Sequence, residues 1–237
     1  MVTRKLEDEL ARLGVEICKG ATVEEIDAAA PRPVVRVNGV RREFDCCIFT
    51  GPTTVLDQLI PRASAAADDY RRQLQSVDYL GAVCLVFASE QDLGDFYWLN
   101  VNEPGAPFLV LVNHTKMVSR EFYNGRHVYY IGAYQAHDSK LFLMPQDELV
   151  ALWLGYLRTI HPQFDAAKIA EQHLFKLKYA QHVVDTAYQA KIPACRTPWP
   201  GVYLANFAQI YPEDRGTNFA VREGDKVAAL ILGELAG

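Results

Sequence analysis

Four strand-like runs follow one another through the middle of the chain: Val77 to Ala88, Phe96 to Val101, Phe108 to His114 and His127 to Tyr134. They are rich in Val, Leu, Tyr and Trp, residues that suit a pleated, half-buried surface. Gly94, Pro104-Gly105 and Asn124-Gly125 punctuate the gaps. This succession predicts an antiparallel sheet. Pro145 to Ile160 then reads as an amphipathic helix, with Leu149, Leu152, Trp153, Tyr156 and Leu157 on one side. Trp153 belongs to the core on that spacing. His173 to Tyr179 alternates as a strand that leaves the sheet domain.

The flanks have a different texture. Leucines at 6, 10 and 13 mark an amphipathic helix stopped by Gly14. Val15 to Cys18, Val23 to Ile26 and Val34 to Val37 read as short strands. Asn38-Gly39, between Val34–Val37 and Val40–Phe44, is a type I′ hairpin signal. Cys46 to Thr50 reads as a buried strand ended by Gly51-Pro52, and Thr53 to Ile60 as a short helix. Pro61 to Asp69 is the best linker. Pro193, Pro198 and Pro200 punctuate a loop, Val202 to Ala205 is a short buried strand, and Asn218 to Leu235 is a long terminal helix. The predicted class is α/β plus α+β. Residues 1–60 and 200–237 form one α/β domain, and residues 61–199 form an inserted domain of antiparallel sheet and helices. The opening segment has too few strands to cover its own apolar runs. Part of that domain is therefore expected to be absent or supplied by another chain.

Composition narrows the functional classes. The chain has 237 residues, half of them hydrophobic and 22% charged. Such a chain buries enough surface to fold without a disulfide or metal. Its longest apolar run, Leu80 to Ala88, is far short of the roughly 18 residues of a membrane span. Met1 to Leu13 is charged and amphipathic, unlike a signal peptide. The formal charge is −5 and the bases are scattered, which speaks against nucleic acid as a partner. The five cysteines are odd in number and contain no C-x-x-C pair. Reduced, inert thiols in a cytoplasmic protein are expected, with Cys46 and Cys47 on opposite faces of their strand. No two of the 15 glycines are separated by a single residue, so no G-x-G phosphate turn exists. G-K-[ST], H-E-x-x-H, zinc-type Cys/His spacings and G-x-S-x-G are also missing, and no metal site is predicted.

Three stretches resemble the C-terminal half of the flavin-containing amine oxidase superfamily, which includes protoporphyrinogen oxidases, phytoene desaturases and UDP-galactopyranose mutase-like proteins. They are LARLGVEICKGATVEEI (10–26), FDCCIFTGP (44–52) and VYLANFAQIYPEDRGTNFAVREG (202–224). The resemblance implies an incomplete FAD-binding domain, Rossmann-like and of the glutathione-reductase type. It also implies hydride transfer from a C–N or C–C bond of a small-molecule substrate to the flavin. In its terms Val23 meets the adenine, Thr50 and Gly51 end a strand under the cofactor, and Ala205, Asn206 and Phe207 meet the ribityl and phosphate groups. The amides of Arg215, Gly216, Thr217 and Asn218 face the flavin edge. A helix start carries free N–H groups and partial positive charge, which suits an electron-rich ring. Thr217 or Asn218 is expected to cap that helix.

The sequence departs from the family pattern at Asn206 and Phe207, where a glycine and an acid are expected, and at Asn218 and Phe219, where glycines are. The absent G-x-G-x-x-G implies a truncated enzyme, a fragment or one piece of a split protein. Aromatics of the middle sheet, Trp98 and Tyr130 among them, are either core residues or the wall of a substrate pocket. His114 is either a satisfied buried histidine or a polar group at the pocket mouth. Arg215 either neutralises a phosphate or pairs with Glu213 or Asp214. No side chain stands out as a catalytic acid or base. Two other readings remain open: a non-catalytic module binding a small ligand, and a flavin-dependent sugar mutase. A homo-oligomer or a complementing N-terminal half is the expected protein partner.

Overall fold

Gly14 halts the opening helix α1 (Val2–Arg12) as expected, and its φ of 79° suits a residue without Cβ. The computed structural model describes residues 2–29, 31–62 and 67–235. The chain divides into two compact units, Met1–Val77 with Thr186–Gly237 and Asp78–Asp185.

In the first unit, β1 (Val23–Asp27), β2 (Val34–Val37) and β3 (Val40–Glu43) form an antiparallel sheet in that order. Asn38 and Gly39 join β2 to β3 with φ values of 48° and 78°, the left-handed pair a type I′ turn demands. Val15–Cys18 is not a strand. It has no ladder partner among the described residues, and an apolar run makes a strand only where a second strand accepts its hydrogen bonds. Next come β4 (Cys47–Phe49), α2 (Thr53–Leu59) and a helix the sequence reading missed, α3 (Asp68–Gln75). Of the predicted linker, residues 63–66 lie outside the described residues, and Asp68-Asp69 already opens α3.

The second unit holds β5 (Tyr79–Ser89), β6 (Trp98–Asn100), β7 (Val110–Asn113) and β8 (His127–Gln135). These are followed by α4 (Lys140–Leu143), α5 (Gln146–Ile160) and β9 (Ile169–His182). All five strands form one antiparallel sheet in the order β6-β7-β8-β5-β9. β9 corrects the reading of His173 to Tyr179: it is the long edge strand of this sheet, paired along β5. The strict alternation of β5 buries Val83, Leu85 and Phe87 on one face. Leu111, Tyr129 and Ile131 join them against Leu149, Trp153 and Leu157 of α5. The opposite face carries Ala82, Cys84, Val112, Tyr130 and Gly132, none of them fully buried.

The chain re-enters the first unit at α6 (Tyr188–Lys191), then forms β10 (Val202–Leu204) and α7 (Thr217–Leu235). β10 pairs in parallel with β4. Cys47 packs with Leu56 and Leu204 while Cys46 packs with Tyr203 and Val227, so the two cysteines do take opposite faces. Burial pushes the thiols of Cys47, Cys84 and Cys195 above the ordinary range, which leaves them poorly nucleophilic.

Candidate functional site

β4 and β10 run side by side, so their C-terminal ends emerge together. The Ala205 amide donates to the Phe49 carbonyl at 3.0 Å. α7 lies beside these strand ends. The result is a groove of about 490 Å³ lined by Ile48, Thr50, Ala205, Asn206, Phe207 and Ile210 from the strand ends. Ala220, Glu223, Gly224 and Val227 of α7 form its other wall. Those four stand at i, i+3, i+4 and i+7, one stripe of a helix. The groove is mainly apolar. Its one charged group, Glu223, is held by Arg222 and Lys226 at 2.9 and 2.8 Å. Burial alone would raise that carboxyl, but bonds from Lys226 and Arg222 together hold it below the usual range.

Asn206 fixes the mouth of the groove. It is buried and caps the short 3₁₀ turn Phe207–Gln209, its Oδ1 accepting from the Ala208 amide at 3.1 Å. Its Nδ2 donates to the Gly51 carbonyl at 2.8 Å, tying the end of β10 to the end of β4. Gln209 answers by accepting from the Asn206 amide at 2.9 Å and donating to the Pro193 carbonyl at 3.0 Å. Asn206→Ala is expected to cost about 1–2 kcal/mol in urea unfolding, through the lost cap and the unpaired Gly51 carbonyl. Asn206→Asp keeps the cap but buries a carboxylate oxygen against the Gly51 carbonyl, so it should cost at least as much.

The residues singled out from the sequence fall into four places. Thr50, Ala205, Asn206 and Phe207 share the groove, with Gly51 just beyond Thr50. Arg215, Gly216, Thr217 and Asn218 form the entry to α7 but do not line the groove. Thr217 is itself the first helical residue, so neither it nor Asn218 occupies the flanking cap position. Ala220 makes a helical bond back to Gly216 at 2.9 Å. The amides of Thr217, Asn218 and Phe219 are thus the ones a helix start leaves over, and Thr217 and Asn218 are exposed. The Arg215 amide donates to Asp214 Oδ1 at 2.8 Å, whereas Glu213 is taken by Arg222 at 2.8 Å. Val23 stands in a separate hollow of about 820 Å³ with Lys19, Val37, Asn38, Arg42 and Phe44.

Trp98, His114 and Tyr130 belong to the second unit. Trp98 and Tyr130 both lie opposite Val112, on the strands either side of β7 and on one face. Trp98 lines a hollow of about 320 Å³ with Ala82, Cys84, Gly132 and Tyr134. The Trp98 ring N–H donates to Asn100 Oδ1 at 2.8 Å. His114 is half-buried, its Nε2 lies 2.7 Å from the Tyr123 hydroxyl, and its ring meets Tyr130 edge-on at 5.6 Å.

Sequence reasoning missed the α7 stripe. The signal was present as the small residues Ala220 and Gly224 on one helical face, at the spacing that marks a buried helix as readily as a groove wall.

A mixed fold with an apolar groove at paired parallel strand ends, walled by a terminal helix, offers a seat for a small molecule. A family profile described as flavin containing amine oxidoreductase matches residues 1–232. The chain belongs to the flavin-containing amine oxidoreductase family, and a flavin is the cofactor that family carries. Direct comparison with curated proteins found no match. Among solved structures, the chain is similar to a protein from Exiguobacterium sp. 255-15 assigned as a protoporphyrinogen oxidase. The TM-score is 0.72 at 14% identity, over 96% of this chain and 51% of that one. It is also similar to cyclohexylamine oxidase from Brevibacterium oxydans IH-35A, with TM-score 0.67 and 16% identity over 91% of this chain and 49% of that one. For reduced UDP-galactopyranose mutase the TM-score is 0.64 at 13% identity, over 80% and 40%. At such identities the likeness speaks for the fold alone. The chain spans about half the length of these proteins. Among the described residues, no helix is long and apolar enough to cross a membrane.

Proposed function

We propose that the first unit is part of an FAD-binding domain in an oxidoreductase of the amine oxidase type, and that the second unit bears its substrate-facing sheet. The observation that carries this reading is the groove between the β4 and β10 ends and the α7 stripe. Its walls suit a flat, largely apolar ring, and its one carboxylate is already neutralised by two cations. Thr50 and Ala205 would support such a ring from the strand side, with Ala220 and Gly224 along the helix. Thr217 and Asn218 amides stand at the positive end of α7. The separate hollow at Val23, with Lys19, Asn38 and Arg42 on its rim, supports a cofactor with a second, nucleotide-like half. The chemistry such a cofactor supplies is acceptance of a hydride from a C–N or C–C bond. This chain's part is to hold the ring, exclude water from its apolar side and present Trp98, His114 and Tyr130 to a small molecule.

Gly224 offers a clean test, because a Cβ added there meets nothing within 4 Å. Leucine would project into the groove, and it favours helix by nearly 1 kcal/mol over glycine. The purified chain is titrated with FAD and with FMN, followed by flavin fluorescence. Saturable binding, tighter for FAD and abolished in Gly224→Leu with an unchanged or raised melting temperature, is the expected result. Binding indifferent to the leucine, or equally tight for FAD and FMN, rejects the assignment.

A further inference from the structure

The second unit contains a polar cluster that plays no part in the proposed cofactor site. His127 opens β8 and is buried, with its ring stacked on Tyr129. Arg120, which begins the 3₁₀ turn Arg120–Tyr123, places Nη1 3.0 Å from His127 Nε2. A guanidinium can only donate, so Nε2 is the acceptor and the ring proton sits on Nδ1. That nitrogen lies 3.4 Å from the Thr115 hydroxyl, which donates to Asn113 Oδ1 at 2.9 Å. Asn113 is buried and donates to the Gly94 carbonyl at 3.3 Å. One tautomer therefore satisfies the whole chain of bonds. The connection between β7 and β8 also carries the His114–Tyr123 pair beside Tyr130, together with exposed Met117 and Phe122.

We propose that residues 114–126 form an acid-released flap, latched to the sheet by Arg120 donating to the neutral ring of His127. A second proton on His127 would occupy Nε2 and face Arg120 donor to donor, positive against positive, at 3.0 Å. The guanidinium must then swing away, and the 3₁₀ turn that carries Tyr123 loses its anchor. Of the charged groups around the ring, Asp92 from the β5–β6 connection favours protonation, while Arg120 and Lys116 oppose it. Burial is the largest influence and holds His127 below the ordinary histidine range. Asp92 is engaged by Lys116 at 3.4 Å. The latch is accordingly closed at neutral and alkaline pH and opens as the pH falls.

Amide hydrogen exchange on the intact chain tests the device, with the amides of Leu111 and Ile131 in the sheet as the internal reference. In the unsubstituted protein, protection of the 114–126 amides relative to the reference should fall on acidification from about pH 7.5 to about pH 5. The expected drop is roughly tenfold to a hundredfold, the worth of one charge-assisted hydrogen bond. His127→Gln supplies a carbonyl acceptor that does not titrate, and should keep the flap protected at both pH values. Arg120 is exposed, so Arg120→Met should fold, and it should leave the flap unprotected at both. A pH response retained in His127→Gln would assign the effect to another group, such as His114, and overturn the proposal. So would unaltered protection in Arg120→Met, or flap protection in the unsubstituted protein that does not change with pH.

Discussion

Arg71→Met is expected to destabilise the first unit by about 3–5 kcal/mol, because it strands a buried carboxylate. Arg71 and Asp57 are both buried and meet at 2.6 Å. The guanidinium also donates to the carbonyls of Asp57, Ile60 and Pro61 at 3.0, 3.1 and 2.9 Å. Its carbon sits 5.0 Å from the centre of the Trp199 ring. One side chain thus closes the C-terminus of α2, where carbonyls lack helical donors, and couples α2 to α3. Methionine keeps the stem and the contact with Trp199 but removes every donor. Among the described residues, Asp57 retains only the Gln75 amide at 2.7 Å and the distant, exposed Arg62. The double variant Arg71→Met with Asp57→Leu should recover much of the loss, since a buried pair replaced by apolar groups is often near neutral. Urea unfolding decides the matter: a single-variant loss below about 1 kcal/mol would mean that the pair is solvated.

Trp153→Ala should cost the second unit about 3–5 kcal/mol through the cavity it leaves. Trp153 is fully buried on α5 and meets Phe108 edge-on at 5.8 Å, within the cluster of Val83, Leu85, Leu111 and Ile131. Its indole N–H has no hydrogen-bond partner among the described residues. Trp153→Phe therefore loses packing but also removes a buried donor that is costly to leave unmatched. The two effects oppose each other, so phenylalanine should cost well under half the alanine loss. Equal losses for the two variants in denaturant unfolding would show that the N–H is matched by water.

These two anchors differ in how visible they are in the sequence. Trp153 announces itself by helical spacing with Leu149, Tyr156 and Leu157. Arg71 does not. It lies 14 positions from Asp57 and far from Trp199, in a stretch that reads as polar. Only the packing of α3 and of the Trp199 segment against α2 brings the three together. The same contrast holds within the candidate site. Thr50 and Ala205 are recognisable because each ends a short apolar run, and a strand end is a local event. Asn206 reads as a departure from a glycine pattern, whereas its actual work is to bond Gly51, 155 residues away.

Local chemistry settled what depends on neighbours in the chain. It determined the left-handed turn at Asn38-Gly39, the alternation of Tyr79–Ser89 and the apolar face of Gln146–Ile160. Periodicity and turn preference act over a few residues, and no distant partner needs to be known. Tertiary structure decided everything that requires a second surface. Val15–Cys18 has the composition of a strand and is none, because no ladder among the described residues receives it. Ile169–His182 became the edge of the five-stranded sheet because β5 offered it a free row of donors and acceptors. The groove exists because β4 and β10, separated by more than 150 residues, end side by side with α7 against them. Hydrogen bonds and buried contacts between distant segments are set by the packed whole, and no window of sequence contains both partners.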